Sequence, residues 1–192
     1  MIEKLPSLSR RAALGATATT LSGAGLMAML GSSAPALALA KQDPAQDVAL
    51  LNAAIGLEHE GISAYQIGAE SGLLAQPVLA LAVTFQGHHK QHRDELIAAV
   101  RRLGGEPVAA KSMADYAADL NAGSIKDQAG VLALALKLER GAANAYLGLI
   151  PSLGANEFHL LAARMAGDEA FHAAILGNAL GEAVPEKGLM FG

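Results

Sequence analysis

The chain has 192 residues, 52% of them hydrophobic and drawn mostly from Ala and Leu, with few aromatics and a formal charge of −4; that composition favours helix over sheet. The absence of cysteine excludes disulfides, iron–sulfur clusters, thiolate zinc sites and cysteine nucleophiles, so any metal must be held by His and carboxylate. A mildly acidic surface without basic clusters or stacking aromatics argues against nucleic acid as a partner.

Residues 1–40 read as an address. Lys4 and Arg10-Arg11 precede a modestly apolar run from Ala12 to Leu30, and Ala38-Leu39-Ala40 offers small residues where a signal peptidase cuts. The stretch resembles a bacterial twin-arginine signal peptide, with Ala13 where Phe is usual. Cleavage is expected after Ala40, which makes 41–192 the mature domain and leaves 11 basic and 17 acidic residues, a charge of −6. The resemblance implies a periplasmic product exported already folded, with no stable membrane association after cleavage. A retained membrane anchor is the rival reading, since roughly 19 apolar residues can span a bilayer; the weak hydrophobicity of the run and its Ala-x-Ala site favour cleavage.

Four helices follow. Asp43-Pro44 is a cap followed by proline at the first helical position, and an amphipathic pattern runs from there to Gly72. A second helix is expected from about Gln76 to Leu103, stopped by Gly104-Gly105. Residues 106–123 form a long connection with a short helix around Met113 to Leu120. Ser124-Ile125-Lys126-Asp127 has the form of a capping box, so the third helix is expected to start there and to end near Ile150, before Pro151. The fourth runs from about Asn156 to Leu180 and closes at Gly181.

Each helix carries polar residues inside its apolar seam, near its midpoint. Walking in steps of three and four meets Glu58 between Ile55 and Ile62, His89 and His92 between Phe85 and Leu96, Glu139 between Leu136 and Ala143, and Glu169 and His172 between Met165 and Leu176. In an antiparallel bundle these midpoints meet. Buried carboxylates are costly unless paired or bound to a cation, and carboxylate with imidazole suits iron, manganese or zinc. The chain also repeats itself: Leu57-Glu58 with Ala64-Tyr65 recurs as Leu138-Glu139 with Ala145-Tyr146, and His89-x-x-His92-x-x-x-Leu96 as Glu169-x-x-His172-x-x-x-Leu176.

On these motifs residues 45–181 resemble the ferritin-like superfamily, closest to small exported bacterial ferritin-like proteins. The resemblance implies an all-α antiparallel four-helix bundle with a long crossover between its second and third long helices, and a site for one or two transition-metal ions, iron or manganese first. It implies Glu58 and Glu139 as single carboxylate ligands, Glu169 and His172 as one ligand pair, and His89 and His92 as the other. His89 departs from the pattern, which has Glu there, and leaves three acidic ligands in place of four. Iron or manganese handling, ferroxidase-like or peroxide-consuming activity, and a non-catalytic structural or stress-protective bundle with a degenerate site all stay open. A homodimer is implied only by fold-level analogy. His59 and His159 fall off the seam and read as surface residues. His88 reads as solvent-facing or supporting, with replacement of His89 as a ligand as the alternative, and Asp168 as an acceptor for a ligand histidine or an exposed carboxylate. Tyr65 and Tyr146, about 10 Å along the axis from the glutamates of their own helices, read as core packing by default, with a role in redox or in hydrogen bonding to the site as the alternative.

Overall fold

The computed structural model describes residues 43–192; the expected leader and the cleavage point after Ala40 lie outside them. Among the described residues every regular element is helical: α1 Pro44–Glu70, α2 Gln76–Arg102, α3 Met113–Asp119, a 3-10 turn Ala122–Ser124, α4 Gln128–Leu149, a 3-10 turn Ile150–Ser152 and α5 Asn156–Ala179. None of these helices is long and apolar enough to cross a membrane.

The helix ends follow local chemistry. The Asp43 carboxylate accepts from the Ala45 amide at 3.0 Å, with Pro44 in the first turn where no amide is missed. Gly104 and Gly181, at φ of +75° and +77°, supply the left-handed exits of α2 and α5. The start of α4 differs from the expected capping box. Asp127 is itself the cap, accepting from the Gly130 amide at 2.8 Å, while Ser124 donates to the Asn121 carbonyl and closes the preceding 3-10 turn. Ile125 is extended, at φ −78° and ψ 130°, so no helix can begin before it.

Cross-helix contacts set the directions. Gln86 of α2 donates to the Ile62 carbonyl of α1, and Gly105 lies against Val48 at the opposite end of that pair, so α1 and α2 are antiparallel. Leu149 of α4 packs at the Phe158 end of α5, and Leu132 and Leu136 pack at its Leu176 end, so α4 and α5 are antiparallel as well. Tyr65 touches Glu139 and Tyr146 touches Glu58, which makes α1 and α4 antiparallel too. Helices α2 and α4 therefore run parallel, and residues 103–127 must travel the length of the bundle between them. They start against Val48 and finish where the Gln128 side chain accepts from the Ala75 amide at 2.9 Å.

The core has three layers along the axis. Leu51, Ile55, Leu96, Leu149, Phe158 and Met165 pack one end, and Tyr65, Phe85, Leu132, Leu136 and Leu176 the other. Each fully buried Leu, Ile or Phe contributes roughly 1.5–3 kcal/mol, enough to carry the polar layer held between them.

Candidate metal centre

Glu58, His89, His92, Glu139, Glu169 and His172 all meet in that middle layer, and each is at most 7% exposed. They form two overlapping sets, Glu58 with His89, His92 and Glu169, and His89 with Glu139, Glu169 and His172; within each set one ligand atom per residue lies within 4.8 Å of the others. His89 and Glu169 belong to both sets. The three-residue spacing of His89 to His92 and of Glu169 to His172 turns both members of each pair to one side of their helix. Room for His89 comes from Gly61 on α1, where a Cβ would lie 3.1 Å from the imidazole.

The donors bind one another. His89 donates through Nδ1 to Glu58 Oε2 at 2.8 Å and through Nε2 to Glu139 Oε1 at 3.2 Å, which requires both ring nitrogens to be protonated. His92 likewise faces Glu169 Oε1 at 3.0 Å and Asp168 Oδ2 at 3.1 Å. His172 Nδ1 lies 3.2 Å from both Glu139 and Glu169, and its Nε2 is 2.9 Å from His88 Nδ1. His88 and Asp168 thus stand just behind the layer and orient its histidines. His59 and His159 are off the seam but are not free surface residues: they tether backbone, to the Val108 carbonyl at 3.3 Å and the Leu153 carbonyl at 2.7 Å.

Protonation follows from these pairings. Burial alone would raise Glu58, but the hydrogen bond with His89 and the attraction of His92, 3.7 Å away, hold it down at about 2. Burial would also raise Glu139, and Glu169, His172 and His89 together bring it below the usual carboxylate range. Glu169 is raised by burial and by its contact with Glu139. Burial disfavours the charged form of His92, yet its hydrogen bond to Glu169 and the Glu58 carboxylate 3.7 Å away lift it to about 10, and the same competition raises His89 and His172.

Tyr65 and Tyr146 are more than packing. Tyr65 donates to Oε1 of Glu139 and Tyr146 to Oε1 of Glu58, each across to the glutamate of the other half. Burial and these carboxylates push both phenols above their ordinary range, so both remain donors. The signal was the identical Glu-to-Tyr offset in the two halves. On antiparallel helices, equal offsets bring each tyrosine level with the other helix's glutamate, a relation that distances along one helix do not reveal.

Between α2 and α5 a cleft of about 550 Å³ reaches the layer at His92, with His88, Asp94, Glu95, Arg164 and Asp168 on its walls. Asp168 is paired with His92 and Asp94 with Arg93, which leaves Glu95 and Arg164 as the cleft's further charges.

Comparison with known proteins agrees with this architecture. A family model described as a ferritin-like domain matches residues 46–182. The crystal structure of a conserved hypothetical protein from Mycobacterium tuberculosis superposes with a TM-score of 0.62 at 22% identity, covering 72% of this chain and 100% of that one. No curated protein matches.

Proposed function

The chain belongs to the ferritin-like domain family, and from that premise we propose that its buried layer binds one or two divalent transition-metal ions, iron or manganese first, in a protein exported to the periplasm. The observation that carries this is the pair of four-residue donor sets sharing His89 and Glu169. Glu58 and His92 would complete one position, Glu139 and His172 the other. The donors suit the ion: carboxylate and imidazole without thiolate are ligands for iron, manganese or zinc. The twin-arginine-like residues 1–40 support export.

A bound iron or manganese ion would supply one-electron oxidation and reduction. The chain's own residues do the rest. Tyr65 and Tyr146 hold the single carboxylates, and Asp168 and His88 hold His92 and His172. Three carboxylates instead of four leave the layer less negative, which favours divalent over trivalent ions and so favours handling or buffering of the ion over its oxidation.

A second reading, a non-catalytic structural or stress-protective bundle, draws on one observation. Among the described residues no buried side-chain nitrogen or oxygen lacks a hydrogen-bond partner, so imidazolium–carboxylate pairing satisfies the layer by itself. Elemental analysis separates the two. Protein stripped with chelator, reloaded with ferrous or manganous ion and desalted should retain about one to two equivalents. Retention below roughly a tenth of an equivalent would leave only the structural reading.

A further inference from the structure

The two ends of the bundle are packed differently. Beyond the polar layer, toward the α1–α2 turn, a cavity of about 760 Å³ opens between α1 and α4, with crossover residues Leu120 and Ile125 on its outer wall. Its α1 lining runs from Leu57 to Gly68, about 17 Å at 1.5 Å per residue. Protein interiors are close-packed and hold few voids larger than a water, whereas this volume lies in the range of small-molecule sites.

The space traces to residue choice at duplicated positions. The register that places Glu58 on Glu139 places Gly68 on Leu149, and the one that places His89 on Glu169 places Val78 on Phe158. Leu149 and Phe158, each 1% exposed, fill the closed end; Gly68 and Val78 line the cavity. Ala64, Ala135 and Ala142 keep the rest of its wall small. Most of the other uncharged lining is apolar, Tyr65, Ser71 and Asn121 excepted, and the charged groups gather toward the polar layer and the crossover. Glu58 and Glu139 are paired with the His89 imidazolium and Asp119 with Lys111 at 2.8 Å, burial raises Glu60, and the exposed Lys137 is left without an ion pair among the described residues.

We propose that this cavity binds an amphiphile with one unbranched hydrocarbon chain and a carboxylate head. The chain lies along Val78, Leu81, Phe85 and Leu132, and the head sits at Lys137. Length and apolar walls select the chain, the lysine selects the head, and Tyr65 and Glu139 form a wall shared with the metal layer. Binding itself needs no metal, so it extends the proposed function without depending on it.

Calorimetric titration of the chelator-stripped full chain with dodecanoate, dodecanol and butyrate tests the assignment, with native mass spectrometry as a second readout. One dodecanoate per chain is expected at micromolar affinity, with butyrate not binding. Ala142→Leu and Ala64→Leu should each weaken dodecanoate and dodecanol by about tenfold or more while keeping helicity and melting temperature. Lys137→Gln should weaken dodecanoate alone. No adduct at about 1 mM dodecanoate, affinity unchanged in both filled variants, or a cavity sealed by a second copy and seen as a doubled mass would overturn the site. Equal loss of both ligands in Lys137→Gln would overturn the carboxylate head. Metal content, measured separately, does not enter any of these outcomes.

Discussion

The phenol of Tyr65 on α1 donates to Oε1 of Glu139 on α4, and the duplicated pair, Tyr146 with Glu58, repeats the contact in reverse. Each single carboxylate therefore has one oxygen aimed by a tyrosine from the opposite half of the chain. Tyr146→Phe should leave Glu58, only 1% exposed, short of a donor, at a cost of about 1–3 kcal/mol in stability. If metal binds, affinity should fall by about 10–100-fold through loss of orientation. Denaturant unfolding of the stripped protein and a competitive chelator titration read the two effects separately.

Glu169 belongs to both donor sets and Glu58 to one. Glu169→Ala should abolish retention of every ion, while Glu58→Gln should spare the position built on Glu139 and His172. Metal equivalents measured after desalting decide this. Equal stoichiometry in the two variants would argue against a shared ligand.

The metal-free layer should have its own pH profile. Glu58 is lowered from 4.5 to about 2, so its contribution is present above about 4.5 and lost as pH falls toward 2. His92 is raised from 6.5 to about 10, so its contribution is complete below about 6.5 and lost as pH rises toward 10. Glu169, also raised, acts in the direction of His92. Melting temperature of stripped protein should therefore peak between about 4.5 and 6.5. Metal binding must displace the imidazole protons, so affinity should instead weaken as pH falls, with proton release measurable in weakly buffered titrations.

His89→Glu replaces an imidazolium that pairs with two carboxylates. The metal-free variant would gather four buried carboxylates and should lose about 3–5 kcal/mol, the scale for breaking a buried ion pair. Added metal should then raise its melting temperature by more than it raises that of the parent. Thermal scans with and without manganous ion measure the difference.

Gly105 is a steric requirement at the start of the crossover. A Cβ there would lie 2.6 Å from Cγ1 and 2.8 Å from Cγ2 of Val48, so Gly105→Ala should cost about 1–3 kcal/mol by overpacking. Pairing it with Val48→Ala should recover part of the loss in a double-mutant cycle.

Helix positions were legible from local chemistry, because caps, prolines and left-handed glycines act on their own neighbours. Asp43-Pro44 and Gly104 mark ends that α1 and α2 observe. The capping box at Ser124 misread α4 for the same reason: two capping residues stood three apart, and only the extended backbone at Ile125 decides between them. Of the layer, the six Glu and His positions could be read as seam interruptions. Their pairings could not, since spacing along a helix says which face a residue takes and not what lies across from it.

Alone, the residue order determined four amphipathic helices, the internal duplication and the set of side chains that must be buried together, since those depend on helical period and on the cost of burying charge. Tertiary structure alone decided that Tyr65 serves Glu139 and not Glu58, that His89 lies between two carboxylates, that His88 and Asp168 stand behind the layer, and that one end of the bundle is left open. These depend on the axial register between helices, which is set by the summed packing of many side chains distant in sequence.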